Sequence, residues 1–165
     1  MIERNRKKMN VYVDNLERDI KDIKEQLIQE CIKSTKKRIK GGYNYEVSSE
    51  YHDKLYHLFI NSCKKYFENI KLHDSPRKLW SYYTDKHFPG FSVWHNHKQS
   101  CDICGVLYLK TVKGCGIELR HNNDIVYFEP KNYDLLIFPG FLDHRPLISL
   151  IETRISLQFE IMCDM

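Results

Sequence analysis

The sequence has no long apolar run. No stretch approaches the roughly 18 apolar residues that a membrane-spanning helix needs, and the basic run Arg4 to Lys8 near the N-terminus is not followed by an apolar segment. The pattern of a secretory signal peptide is therefore missing. We expect a protein that crosses no membrane and works in the cytoplasm.

Internal repeats, low-complexity segments and recognisable linkers are also missing from the 165 residues. A chain of this length can bury well over half of the surface that its unfolded state exposes. Its 42% hydrophobic and 29% charged residues are typical of a packed globular protein. We expect a single domain over residues 1–165, with a helical N-terminal part in 1–75 and a strand-rich core in 79–162.

Neither the cysteine content nor the charge assigns a function. Six cysteines are scattered along a chain without a secretory pattern, which favours reduced thiols over disulfides. The net charge of +4 comes largely from two basic runs, Arg4 to Lys8 and Lys33 to Lys40. Such runs are typical of a solvated face, although a contact surface for nucleic acid or another polyanion has the same composition.

The first third of the chain has the apolar spacing of helices. Apolar residues recur at steps of three and four until Gly41-Gly42, which predicts a first helix. This stripe consists of Val13, Leu16, Ile20, Ile23, Leu27 and Cys31. A second helix is predicted from Ser48 or Ser49 to Ser75-Pro76. Packing on the protein's own sheet is the preferred role of the first helix, with an intermolecular coiled coil as the alternative.

From residue 79 onward, short runs rich in β-branched and aromatic residues alternate with Gly, Pro, Asn and Asp. Predicted strands cover 79–84, 91–97, 103–110, 115–120, 124–128, 134–138, 144–149 and 152–162. About eight short strands after a helical segment favour a mainly β fold of the α+β class, an antiparallel jelly roll whose helices cover one sheet.

Three histidines have the spacing of a metal site. In a strand, His95 and His97 would point to the same face and present two imidazole nitrogens to one ion. His144 follows the apolar strand 134–138 and the turn at Pro139-Gly140, so it is the natural third ligand. Imidazole suits iron, zinc, copper and nickel alike, and the spacing therefore predicts a metal without naming it.

Ten residues after His144, the apolar residues of 154–159 alternate with Arg154, Ser156 and Gln158, which share one face. If this face lines the interior, the guanidinium of Arg154 needs a partner there. A carboxylate held in a two-pronged pair, with the Ser156 hydroxyl beside it, fits best.

Together these segments resemble a known family. The order is His-Asn-His at 95–97, Cys-Gly-Val-Leu-Tyr-Leu at 104–109, Leu-Ile-Phe-Pro-Gly-Phe-Leu-Asp-His at 136–144 and Arg-Ile-Ser-Leu-Gln-Phe at 154–159. This order resembles the double-stranded β-helix 2-oxoglutarate/iron(II) oxygenases, in particular their compact phage-type and bacterial branch. The resemblance covers roughly residues 79 to 162.

The resemblance implies an enzyme that binds iron(II) and uses 2-oxoglutarate and molecular oxygen. Oxidative decarboxylation of 2-oxoglutarate to succinate would be coupled to hydroxylation of a substrate. His95 matches the first metal ligand and His144 the distal histidine, while Arg154 matches the arginine that binds the far carboxylate of 2-oxoglutarate, with Ser156 beside it. By their position on strands near the site, Tyr83 and Tyr108 could also offer hydroxyl groups to the cosubstrate, with core packing as the alternative role of both.

One position departs from the family pattern. His97 stands where most members have a carboxylate ligand. Two alternatives follow: a triad of three histidines, or a carboxylate from elsewhere, for which Asp102 is the nearest candidate. For the prime substrate, the resemblance favours a peptide side chain, while a nucleic acid or a small molecule stays open.

Two other classes of metal protein use similar spacings. A cupin would bind its metal through His95, His97, Asp102 and His144, and it would not need Arg154. A structural zinc site would use His95 and His97 together with the two cysteines at 101 and 104. Arg154 and Ser156 favour the oxygenase over both.

Overall fold

The computed structural model of the chain describes residues 10–33, 37–39, 42–67, 71–72, 79–84, 92–147 and 152–164. In these ranges the chain forms two helices, α1 (Lys24–Lys33) and α2 (Ser49–Tyr66), and twelve strands. The strands are β1 (Tyr12–Asn15), β2 (Lys37–Ile39), β3 (Gly42–Glu46), β4 (Lys71–Leu72), β5 (Trp80–Thr84), β6 (Ile103–Lys110), β7 (Ile117–His121), β8 (Asp124–Phe128), β9 (Asp134–Pro139), β10 (Asp143–Pro146), β11 (Arg154–Ile161) and β12 (Cys163–Asp164). Within the described part, neither helix combines the length and the apolar character that a membrane crossing requires.

The strands form antiparallel sheets. Seven strands make a large sheet in the order β1-β9-β6-β11-β5-β3-β2, three make a small sheet in the order β10-β7-β8, and β4 pairs with β12. Neighbours in the large sheet are mostly distant in sequence, as in a jelly roll. The predicted fold class is confirmed.

Strand β6 separates two hydrophobic clusters. Its residues Leu107 and Leu109 belong to the cluster that includes buried residues of α1 and α2. Their neighbours Val106 and Tyr108 point to the other face and join Leu119 of the small sheet in a second cluster. Because side chains alternate along a strand, the continuous apolar run of β6 contributes residues to both clusters. The molecule therefore has three layers: helices, large sheet and small sheet.

Helix α2 lies on the large sheet through aromatic contacts. The ring of Phe59 is fully buried and its centroid lies 4.7 Å from that of Phe159 on β11. Directly beneath it, a Cβ atom added to Gly105 would lie only 2.3 Å from a ring carbon of Phe59. The absence of a side chain at this position lets the helix approach the sheet closely. Ser48 precedes the helix, as predicted, and its last residue is Tyr66 rather than a residue near Ser75.

The prediction of helix across the whole N-terminal third was wrong. Residues Tyr12–Asn15 form β1 on the edge of the large sheet, paired with β9, and α1 begins only at Lys24. Val11 and Val13 pack in the cluster between the sheets, whereas Tyr12 packs on the helix side. Residues 11–13 thus alternate between the two faces of the sheet, as in a strand. Hydrogen bonding to the β9 backbone stabilises this strand over the helix that the apolar spacing predicts.

The strand predicted at 91–97 was also wrong. Residues 92–97 form no strand, and only His95 makes an isolated bridge, to His144. The predicted strand at 144–149 is observed at Asp143–Pro146, whereas residues 148–151 lie outside the described part. Aromatic and β-branched composition alone does not create a strand where a neighbouring strand is missing.

The close contact of Phe59 with Gly105 is testable. We expect Gly105→Ala to lower the free energy of unfolding by about 1–3 kcal/mol, because the added methyl group overpacks the interface between α2 and the sheet. Urea unfolding followed by circular dichroism measures the loss. In the double variant Gly105→Ala/Phe59→Leu the loss should be smaller than the sum of the two single losses. Strict additivity would contradict the packing described here.

Candidate metal centre

Three histidine rings meet at one point beside β10. One ring nitrogen from each of His95, His97 and His144 lies within 4.8 Å of the other two. The ring centroids are 4.2 Å apart for His95 and His144, 5.1 Å for His97 and His144, and 5.2 Å for His95 and His97. Among the described residues, no other group of three or more histidine, cysteine or acidic side chains comes this close together.

Backbone contacts hold His95 against β10 and His97 against the turn before β10, without a regular strand. The amide of His95 donates to the carbonyl of His144 at 3.0 Å, and the amide of His144 donates back at 2.9 Å. The amide of His97 donates to the carbonyl of Gly140 at 2.7 Å. A Cβ atom on Gly140 would lie 2.1 Å from the carbonyl oxygen of Cys101, so only glycine fits this contact.

Side chains next to the histidines fix the same segment. The ring of Trp94 lies against the guanidinium groups of Arg120 and Arg145, at 4.3 and 4.9 Å. Asn96 donates a hydrogen bond of 2.9 Å to Asp143, which also pairs with Arg120 at 3.1 Å. These two hydrogen bonds lower the pKa of Asp143. The loop that carries His95 and His97 is thus tied to both β7 and β10.

Two of the rings have a defined tautomer. Nδ1 of His95 lies 2.9 Å from the carbonyl oxygen of Val93, and Nδ1 of His144 lies 3.0 Å from that of Leu142. A carbonyl accepts only, so each Nδ1 carries the hydrogen and each Nε2 carries a lone pair. The Nε2 lone pair is what a metal ion binds.

His144 is neutral over most of the pH range. It is buried, and this burial, together with the neighbouring rings of His95 and His97, lowers its pKa to about 4. A protonated imidazole cannot bind a cation. At neutral pH, His144 is therefore ready to act as a ligand.

The three histidines line a cavity of about 350 Å³ that both sheets enclose. Apolar side chains form much of its wall, among them Trp80, Val106, Ile117 and Phe138. A guanidinium group, that of Arg154, lines the same cavity. The volume suits a small organic ligand.

Arg154 is buried, with 3% of its surface exposed. Its Nε donates to the carbonyl of Cys115 at 3.1 Å and its Nη1 to the hydroxyl of Ser156 at 3.3 Å. The same hydroxyl accepts a hydrogen bond of 2.9 Å from Gln158. No carboxylate in the described part of the chain lies within ion-pair distance of Arg154. Because a buried unpaired cation is costly, an anion in the cavity would be stabilised there.

Tyr108 adds a second polar group beside Arg154. Its ring centroid lies 5.4 Å from the guanidinium carbon, and its hydroxyl has no hydrogen-bond partner among the described residues. Burial raises the pKa of Tyr108 to about 12, so the hydroxyl keeps its hydrogen and can donate it to a ligand. Tyr83 lies on β5 opposite Ile155, but its side chain is outside the described part.

Comparison with known proteins finds matches by structure and none by sequence. No protein-family model and no curated protein matches the sequence. A prolyl 4-hydroxylase from Phytophthora capsici matches 96% of the chain with a TM-score of 0.72 and 16% identity; the chain spans 60% of that protein. A prolyl hydroxylase from Trichoplax adhaerens, in complex with a peptide of the hypoxia inducible factor, matches 98% of the chain with a TM-score of 0.66 and 14% identity, over 87% of its own length.

A third match is the viral collagen prolyl hydroxylase of Paramecium Bursaria Chlorella virus-1 in its 2-oxoglutarate complex. It matches 92% of the chain with a TM-score of 0.60 and 14% identity, over 94% of its own length. The chain has the fold of the prolyl hydroxylases. The resemblance to 2-oxoglutarate/iron(II) oxygenases is thus confirmed at the level of fold, and it extends to the N-terminal third, which the sequence motifs did not cover.

Within this fold, the alternative ligands lie outside the histidine cluster. The carboxylate of Asp102 accepts a hydrogen bond of 2.8 Å from the amide of Cys163, which ties it to β12. The thiols of Cys101 and Cys104 lie 3.2 Å from each other. Neither Asp102 nor the cysteines belong to the group of converging nitrogens, so the structure supports neither a four-ligand cupin set nor a compact zinc cage.

Sequence reasoning missed Glu160, whose carboxylate oxygen Oε1 lies 3.1 Å from Nδ1 of His97. The signal was present in the alternation along β11, where Arg154, Ser156, Gln158 and Glu160 share one face. Arg154, Gln158 and Glu160 all line the cavity. Extending the alternation by one more step would have placed a carboxylate beside the histidines.

The low pKa of His144 predicts an acid-sensitive stability of the metal-free protein. Its pKa is about 4 in the folded state and about 6.5 when unfolded, so the unfolded chain binds more protons between these values. We expect the contribution of His144 to fall by about 3 kcal/mol between pH 7 and pH 4. Urea unfolding at several pH values should show a shallower pH dependence for His144→Gln than for the unmodified protein. His57→Gln, at an exposed position of α2, is the control and should keep the original dependence; identical slopes for all three proteins would contradict the assignment.

Proposed function

We propose that the chain is an iron(II)- and 2-oxoglutarate-dependent dioxygenase that hydroxylates its substrate. The observation that carries this proposal is the buried guanidinium of Arg154, which lines the same cavity as three converging histidines and has no carboxylate partner among the described residues. A keto acid with a second carboxylate fits both features, because one end can chelate a metal while the other pairs with arginine.

His95, His97 and His144 are the proposed metal ligands. The tautomers of His95 and His144 expose Nε2, and the low pKa of His144 keeps it neutral. Three protein ligands leave coordination positions for cosubstrate and oxygen, as the facial triads of non-haem iron(II) oxygenases do. Bound iron(II) would supply the redox chemistry that couples decarboxylation of 2-oxoglutarate to succinate with hydroxylation of the substrate.

Arg154, Ser156 and Tyr108 are the proposed cosubstrate residues. The Ser156 hydroxyl accepts hydrogen bonds from Arg154 and Gln158, so its own hydrogen is available to a carboxylate oxygen. The Tyr108 hydroxyl can donate in the same way. Together with the guanidinium they would orient the far carboxylate of 2-oxoglutarate. A similar role of Tyr83 remains a prediction.

A peptide side chain is the proposed substrate class. The fold is that of prolyl hydroxylases, and one of the matched structures contains a peptide. Val93 lines the cavity and is 55% exposed, which places an apolar side chain where an incoming residue would arrive. Turnover assays with proline-containing peptides, single-stranded nucleic acids and small acids, monitored as succinate formation, distinguish this class from the alternatives.

Loss of a ligand should abolish metal binding. We expect His144→Ala to weaken iron(II) binding by more than about a hundredfold and to stop turnover, because removing a ligand costs at least as much as removing a group that only supports one. Anaerobic equilibrium dialysis followed by metal analysis measures the affinity. His121→Ala, which removes an imidazole of β7 outside the cluster, is the control. Unchanged iron affinity in His144→Ala would refute the proposed site.

The role of Arg154 separates the proposed enzyme from a cupin that does not use 2-oxoglutarate. We expect Arg154→Ala to weaken 2-oxoglutarate binding about a hundredfold, because truncation leaves a carboxylate unpaired in a partly dry cavity at a cost of roughly 2–5 kcal/mol. Arg154→Lys should rescue only part of the affinity, since an ammonium group cannot form two parallel hydrogen bonds.

Calorimetric titration of 2-oxoglutarate into the anaerobic manganese form measures these affinities. Arg18→Ala is the matched control, because Arg18 is exposed and does not line the cavity. Metal affinity should change little in any of the three variants. Equal 2-oxoglutarate affinity in the unmodified protein and Arg154→Ala, or no binding to either, would refute the proposed cosubstrate site and favour a metal protein that does not use 2-oxoglutarate.

A further inference from the structure

The proposed ligand set carries no negative charge, yet a carboxylate lies directly behind it. His97 occupies the position at which the family motif has a carboxylate ligand. Its Nδ1 lies 3.1 Å from Oε1 of Glu160. The other two rings meet only neutral carbonyl oxygens at Nδ1. Of the three histidines, the one in the exceptional position is therefore the one that has an acidic partner.

The backbone of Glu160 is firmly held. The residue lies in β11, where its partner across the strand pair is Cys104 of β6. The hydroxyl of Tyr56 on α2 donates to the carbonyl of Glu160 at 3.2 Å. Both His97 and Glu160 line the cavity. The carboxylate is thus presented to the ring from the centre of a sheet rather than from a loop.

We propose that Glu160 positions His97 for metal binding and supplies, through its imidazole, the negative charge that the three-histidine set lacks. This inference rests on the proposed function. A carboxylate that accepts the Nδ1 hydrogen fixes the tautomer with Nε2 toward the ion and makes that nitrogen a better donor. It also offsets the charge of a bound divalent cation. Glu160 thus supplies the negative charge that a carboxylate ligand at position 97 would supply, without binding the metal itself.

An ordinary surface ion pair would behave differently. The side chains of His97 and Glu160 are each 30% exposed, and pairs of this exposure add little to stability. If the contact were only of that kind, removal of the charge would leave metal affinity unchanged. If Glu160 acts through His97, the effect of Glu160 on metal affinity must also depend on the histidine at position 97. An aspartate at that position would bring its own negative charge to the ion.

A double-mutant cycle tests this dependence. Glu160→Gln is made in the unmodified protein and in His97→Asp, and manganese(II) and cobalt(II) affinities are measured anaerobically by competition with a chelator. In the unmodified background we expect a 10- to 100-fold weakening, the range typical of carboxylate partners of metal-bound histidines. In the His97→Asp background we expect no weakening, because the introduced carboxylate supplies the charge and Glu160 would then face a like charge.

Three controls make the outcome decisive. Glu17→Gln removes the same charge from a carboxylate that pairs with Lys24 at 3.5 Å, and it should leave metal affinity unchanged. Glu160→Asp keeps the charge but withdraws it by one methylene group, so we expect an intermediate affinity; it also replaces Glu160→Gln should that variant fail to fold. The visible absorption of bound cobalt(II) should change in Glu160→Gln, whereas thermal unfolding of the metal-free protein should not.

The two proposals fail in different ways. If the unmodified protein binds neither metal, the metal site is refuted, and the role of Glu160 with it. If it binds metal and Glu160→Gln binds equally well, only the role of Glu160 is refuted. An equal loss in both backgrounds would also refute it, because the effect would then be independent of His97.

Discussion

The register of β11 is the constraint on which the cavity depends. This strand is buried on both faces, so Ile155, Leu157 and Phe159 pack toward the helices while the residues between them face the cavity. A slip of one residue would exchange the two faces. It would place a guanidinium and a carboxylate against the aromatic rings of α2. The hydrophobic cluster beneath the helices therefore determines where the charged groups of the cavity lie.

The three-histidine cluster depends on contacts of a different kind. His144 belongs to a strand, but His95 and His97 lie in an irregular segment that β10 holds through one backbone bridge. The contacts of the Trp94 indole with two guanidinium groups replace the support that a neighbouring strand would give. A site built in this way combines one ligand on a rigid element with two on a tethered loop.

The sequence predicted the fold wherever the alternation of side chains was regular. Strands β5, β6, β8, β9 and β11 were predicted within about two residues, because each is bordered by turn residues. The histidines converge as the spacing suggested, although not for the expected reason, since His95 and His97 do not lie in a strand. The local pattern shows which residue types recur but not which backbone partner is available, and β1 differs from the predicted helix for that reason.

Glu160 and Asp102 show the same limitation at the level of single residues. Asp102 is five residues from His97 but its carboxylate is directed to the amide of Cys163, whereas Glu160 is distant in sequence and reaches the ring. Proximity along the chain was a poor guide because the loop turns after His97, where the amides of Ser100 and Cys101 both donate to its carbonyl. Only the pairing of β6 with β11 brings Glu160 to the site.

The bridge between His95 and His144 also has a consequence for folding. The two residues enclose strands β6 to β9 in one long loop of the chain. An ion held by both would close this loop in the folded state. Since the complete set of nitrogens exists only after the small sheet has docked, the ion would bind the native state and stabilise it in proportion to the logarithm of its concentration. The stability of the folded protein would then rise with the concentration of the metal.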